Sequence, residues 1–124
     1  MEIRLIFKTL LWLLTLAFMS GLVLAGFHFL TDRRSPPWLG KLHSFSVLGA
    51  ISLLGFAWLT GELGQAGTYG LLALFLAAGS GLTINLCIGS NRKQAPDWLV
   101  FVHMCVAFIG FLMVFLALLS ILKG

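Results

Sequence analysis

Charge is scarce in this chain: charged residues make up 10% of the sequence, while hydrophobic ones make up 60%. Soluble domains carry roughly a quarter charged and about half apolar residues. So little charge cannot cover so much apolar side chain in water, which excludes a soluble globular domain and a disordered tail. Cysteine is equally sparse. The only two, Cys87 and Cys105, lie inside apolar runs, which excludes a disulfide scaffold and leaves the redox compartment unread. The sequence also lacks a Cys-x-x-Cys-His for covalent haem attachment. A net charge of +4 is no nucleic-acid signal here, because the Lys and Arg residues stand at the ends of apolar runs.

Those runs are what the sequence has in abundance. A membrane span needs about 20 mostly apolar residues, and four segments qualify: 3–30, 38–60, 68–89 and 98–122. Thr31-Asp32-Arg33-Arg34-Ser35-Pro36-Pro37 separates the first two, and its paired prolines forbid a continuous helix. A glycine-rich turn, Gly61-Glu62-Leu63-Gly64-Gln65-Ala66-Gly67, and the polar segment 90–97 make the other breaks. The expectation is an all-α, four-helix transmembrane bundle in one domain, residues 1–124, with no nucleic-acid partner. The first run, with Arg4, Lys8 and a Val23-Leu24-Ala25 cleavage-like site, also reads as a signal peptide; its length argues that it is retained. Arg33, Arg34, Lys41, Arg92 and Lys93 lie at one end, and Arg4, Lys8 and Lys123 at the other. That bias puts loops 31–37 and 90–97 on the cytoplasmic side, of a bacterial inner membrane.

Shifted by 60 residues, the chain matches itself without a gap. Ala17 falls on Ala77, Ser20-Gly21-Leu22 on Ser80-Gly81-Leu82, Pro36 on Pro96, Trp38-Leu39 on Trp98-Leu99, His43 on His103 and Ala57 on Ala117. Leucine matches carry little in so leucine-rich a chain; the coincidence of Trp, Pro and His carries the argument. Convergent interface chemistry is the competing explanation, since Trp sits at interfaces and Pro starts helices. A tandem repeat of two helical hairpins, residues 1–60 and 61–124, then places the second and fourth helices on a diagonal, with His43 and His103 at one depth. Each lies five residues beyond its Trp, about 7–8 Å along the axis.

Two facing imidazoles could ligate a haem, and ionisable groups inside spans are functional candidates. Below them the same faces read His43, Ala50, Ala57 and His103, Gly110, Ala117, small residues that either pack helices closely or leave room for a flat ligand. Arg33, Arg34, Arg92 and Lys93 could hold haem propionates, though positive-inside topology explains them equally well. A single histidine would more simply hydrogen-bond a neighbouring helix. His28, opposite Ile88 in the repeat, is unmatched: it could be a third ligand, hold a propionate, bind a quinone near the interface, or simply meet water. Asn85 is a polar group that could bond across helices. Three histidines with Met104, Cys87 and Cys105 also allow a copper or zinc site. Cys105, however, is about 200° round the helix from His103, so the two cannot share a face.

In its matched Trp-Leu-x3-His contexts the chain resembles the small b-type cytochrome membrane subunits. The resemblance implies one haem b between His43 and His103, electron transfer rather than catalysis by the chain alone, exchange with quinone, and a redox partner subunit or homo-oligomer. Many such subunits carry a second histidine thirteen or fourteen residues further on. Phe56 and Ala57 stand there after His43, and Leu116 and Ala117 after His103, so a two-haem wire is excluded. A second likeness, through Thr60-Gly61, Tyr69-Gly70-Leu71-Leu72 and Asn91-Arg92, looks like the copper resistance D membrane proteins and implies copper handling or transport. The lysine expected in the third span is absent around Leu76. A structural accessory subunit is the third reading.

Overall fold

A bilayer offers the backbone no water, so an apolar run must satisfy its own N–H and C=O groups, which a helix does. The computed structural model describes residues 2–31, 33–89 and 95–124, and they form four helices. These are α1 (Ile3–Leu30), α2 (Pro37–Leu59), α3 (Gly64–Gly89) and α4 (Asp97–Lys123). All four are long and apolar enough to cross a membrane, and the chain is an integral membrane, four-helix bundle of two hairpins.

Proline and glycine set the helix ends. Pro36 and Pro96 precede α2 and α4 with nearly the same backbone, φ −58° with ψ 139° and 140°. Each accepts from the amide three residues on, Leu39 and Leu99, both at 3.1 Å. At the far end of α2 the amide of Glu62 reaches the Ala57 carbonyl at 3.0 Å, and that of Gly61 reaches Trp58 at 3.1 Å. This double closure needs a left-handed residue, and Gly61 supplies it at φ 77°. The link to α3 is therefore short. Helix α3 starts at Gly64, φ 71°, four residues earlier than the spacing of apolar residues predicts.

Helix α1 packs along α2 and α3 along α4; the hairpins then meet through α1 against α4 and α2 against α3. Among the described residues no Cα of α2 comes within 8 Å of α4, nor any of α1 within 8 Å of α3, so α2 and α4 stand on a diagonal of a square and meet only through side chains. The core is unevenly distributed. Phe7, Leu10 and Leu14 meet Ala50, Leu54, Ala57, Leu63, Leu71, Leu74, Val114 and Leu118 in the half that holds the termini. Ala50, Ala57 and Gly110 are buried and serve helix packing, while Ala117 is half-buried. A Cβ on Gly110 would meet Leu74 Cγ at 3.0 Å. In the other half, no residue of 21–30, 40–45, 78–86 or 101–109 is buried.

Candidate functional site

His43 on α2 and His103 on α4 come together across the diagonal of this less-packed half. Their ring centroids are 6.5 Å apart and their planes 80° apart. Each ring is held by the other helix of its own hairpin. His43 Nδ1 lies 2.8 Å from the Ala17 carbonyl and 3.3 Å from Ser20 Oγ. His103 Nδ1 lies 2.9 Å from Ser80 Oγ.

The partners decide where the ring protons sit. A carbonyl oxygen can only accept, so His43 Nδ1 carries the hydrogen and donates it to Ala17. With the Ser80 hydroxyl hydrogen on the Ala77 carbonyl at 2.8 Å, its oxygen accepts from His103 Nδ1–H at 2.9 Å, the arrangement that matches His43. Ser20 likewise donates to Leu16 and Ala17, at 2.7 and 3.1 Å. Both imidazoles are left with a bare Nε2 lone pair, which is the state a metal ligand requires. Two such acceptors cannot hydrogen-bond each other.

The same geometry repeats beside each ring. A Cβ on Gly21 would stand 2.9, 3.4 and 3.8 Å from His43 Cε1, Nδ1 and Nε2; on Gly81 the distances to His103 are 3.0, 3.5 and 3.7 Å. The imidazoles lie where α1 and α3 have no side chain. Ser20-Gly21 and Ser80-Gly81 both precede their histidine by the same interval, and that spacing was the sequence signal of their role.

His28 is drawn elsewhere. Its Nε2 lies 2.8 Å from Asp97 Oδ1, joining the end of α1 to the first turn of α4. The His28 side chain is 14% exposed and that of Asp97 80%. Sequence reasoning missed Asp97, because it stands opposite Pro37 in the repeat and carries no local motif. Among the described residues no three His, Cys, Asp or Glu side chains gather as a metal cluster, so the three-histidine copper or zinc site does not form there. Cys105 is exposed, away from the His103 face. Arg33, Arg34 and Lys41 are exposed at the histidine end; Arg92 and Lys93 lie outside the described residues. Trp38 and Trp98 are exposed to similar extents, 63% and 66%, as interfacial anchors are.

A scan against protein-family models and searches of curated proteins and of solved structures found no match to this chain.

Proposed function

We propose that the chain is a single-haem membrane electron carrier, with His43 and His103 as the axial ligands of haem b. The observation that carries this reading is the imidazole pair itself, two rings at 6.5 Å with each Nδ1 tied to its own hairpin. An imidazole nitrogen binds a transition metal at about 2 Å, and two rings with centroids 6.5 Å apart would hold one between them. The donor set suits iron, and the glycines at 21 and 81 make room on α1 and α3 for the rings that would hold it. When bound, haem supplies a one-electron couple. The protein's part is to hold the rings, fix their tautomers and exclude water with an apolar wall. Arg33 and Arg34, exposed at the histidine end, would pair with the propionates, as would Arg92 and Lys93 by their place in the sequence; we assign that end to the cytoplasmic face of a bacterial inner membrane. Electrons then pass to a quinone or a redox partner subunit, with His28 at that end of the bundle.

A reduced-minus-oxidised visible spectrum of the purified protein tests this. Wild type and His28→Ala show low-spin bands; His43→Ala and His103→Ala lose them. A wild type without haem bands after haem supply overturns the reading in favour of copper handling or a structural role. Loss in His28→Ala with retention in His103→Ala would place the ligand pair in the first hairpin.

A further inference from the structure

A twofold relation between the hairpins makes the α1/α4 seam equivalent to the α3/α2 seam, yet the two are fastened differently. In the α1/α4 seam Phe18 stacks on Phe111, centroids 4.5 Å apart and planes 13° apart, and tilts against Phe108 at 6.0 Å. Further towards the histidine end His28 bonds Asp97 at 2.8 Å. At the opposite end Arg4 donates to the Leu122 carbonyl at 3.2 Å. Sixty residues on or back, Phe18 becomes Ala78, Phe111 becomes Ile51, Phe108 becomes Leu48, His28 becomes Ile88 and Asp97 becomes Pro37. Each fastener of the middle and upper seam has lost its chemistry in the copy. Only the lowest survives in another form, because Arg4 and Leu122 correspond to Gly64 and Glu62. There the chain itself joins α2 to α3. The second seam is thus hinged at the core end, and among the described residues no aromatic pair or side-chain hydrogen bond spans it at the level of the imidazoles.

We propose that the α2/α3 seam is the side entrance through which a flat, membrane-dissolved ring, the haem of the reading above, reaches His43 and His103. The cargo rests on that reading; the unequal seams do not. Haem partitions into bilayers, and a planar ring wider than the gap between two imidazoles must part the hairpins to enter. They part most easily where, among the described residues, neither a stacked aromatic pair nor a side-chain hydrogen bond holds them. The tightly packed half below the histidines stays shut and acts as the fulcrum.

Two measurements on the full chain test it. With Cys87→Ser in the background, spin labels are placed at the symmetry-equivalent pairs 45/86 (Phe45→Cys, Leu86→Cys, with Cys105→Ser) and 26/105 (Gly26→Cys with the native Cys105). The distance distribution is expected to be broader across α2/α3, at 45/86, than across α1/α4. Equal widths overturn the proposal, and this readout needs no haem. Hemin uptake by haem-depleted protein in phosphatidylcholine vesicles is the second measurement. Ala78→Phe with Ile51→Phe, which transplants the aromatic clasp, slows the appearance of low-spin bands by roughly two- to tenfold, the range one stacked pair supplies. Phe18→Ala leaves the rate unchanged. Unslowed uptake in the transplant together with faster uptake in Phe18→Ala would put the entrance in the other seam. If wild type takes up no haem, the electron-transfer reading fails and the label widths alone decide the seam.

Discussion

Gly81 lies so close under His103 that a Cβ on it would stand 3.0 Å from Cε1, and Gly21 holds the same relation to His43 at 2.9 Å. A methyl group at either position must push the imidazole, since the backbone of a packed helix cannot yield. Gly21→Ala and Gly81→Ala are therefore expected to shift or remove the low-spin haem bands while the protein remains folded by circular dichroism. Gly26→Ala is the control, because a Cβ there meets nothing within 4 Å. Unchanged bands in both glycine variants would show that the rings do not need this contact.

The two imidazole planes are 80° apart. Near-perpendicular axial rings leave the iron d orbitals almost degenerate, and the ferric protein should give one strongly low-field-shifted electron paramagnetic resonance feature. Three well-resolved g values, the mark of parallel rings, would mean that the rings rotate when the site fills.

His28 Nε2 and Asp97 Oδ1, 2.8 Å apart, join the hairpins through a carboxylate side chain that is 80% exposed. Solvent screening limits such a pair to under about 1 kcal/mol. A double-mutant cycle of His28→Ala and Asp97→Asn, read by thermal unfolding in detergent, should give a coupling of that size that shrinks in high salt. A coupling insensitive to salt would point to packing against Phe29, whose ring meets His28 edge-on at 4.7 Å.

Gly61→Ala puts a Cβ on a residue at φ 77°. The left-handed conformation costs a non-glycine residue on the order of 1 kcal/mol, so the variant should unfold a few degrees lower. Gly55→Ala, inside α2 with open space around it, should be neutral or stabilising.

The order of spans was legible because helix breaks are local chemistry: Pro36, Pro96 and Gly61 act on their own backbones. The start of α3 was less so. Gly64-Gln65-Ala66-Gly67 looks like loop by composition, yet once Gly61 turns the chain, Thr68 Oγ1 bonds back to the Gly64 carbonyl at 2.7 Å and the helix extends. His43 and His103 were singled out by the 60-residue offset, which needs no knowledge of packing. Their supports were visible as matched Ser-Gly pairs, but that Nδ1 would meet Ser80 or Ala17 depends on helix rotation, which leucine-rich spans with apolar residues all round do not encode. The His28–Asp97 contact was hidden for another reason: it depends on which helices are neighbours round the square. The basic residues stayed ambiguous, since membrane topology and anion binding ask for the same side chains.

The uneven core sets where the molecule can breathe. Amide exchange reports the free energy of local opening, which falls where few apolar contacts must be broken. The half with Phe7, Leu10, Leu54 and Leu118 at its centre should exchange last. The segments 21–30, 40–45 and 101–109, where nothing is buried, should open first. A ligand that binds only the closed arrangement adds stability as its concentration exceeds its dissociation constant, and nearly all of that gain falls on the same segments. Protection at the histidine end is then a direct measure of occupancy, with the terminal half of the same chain as its internal standard.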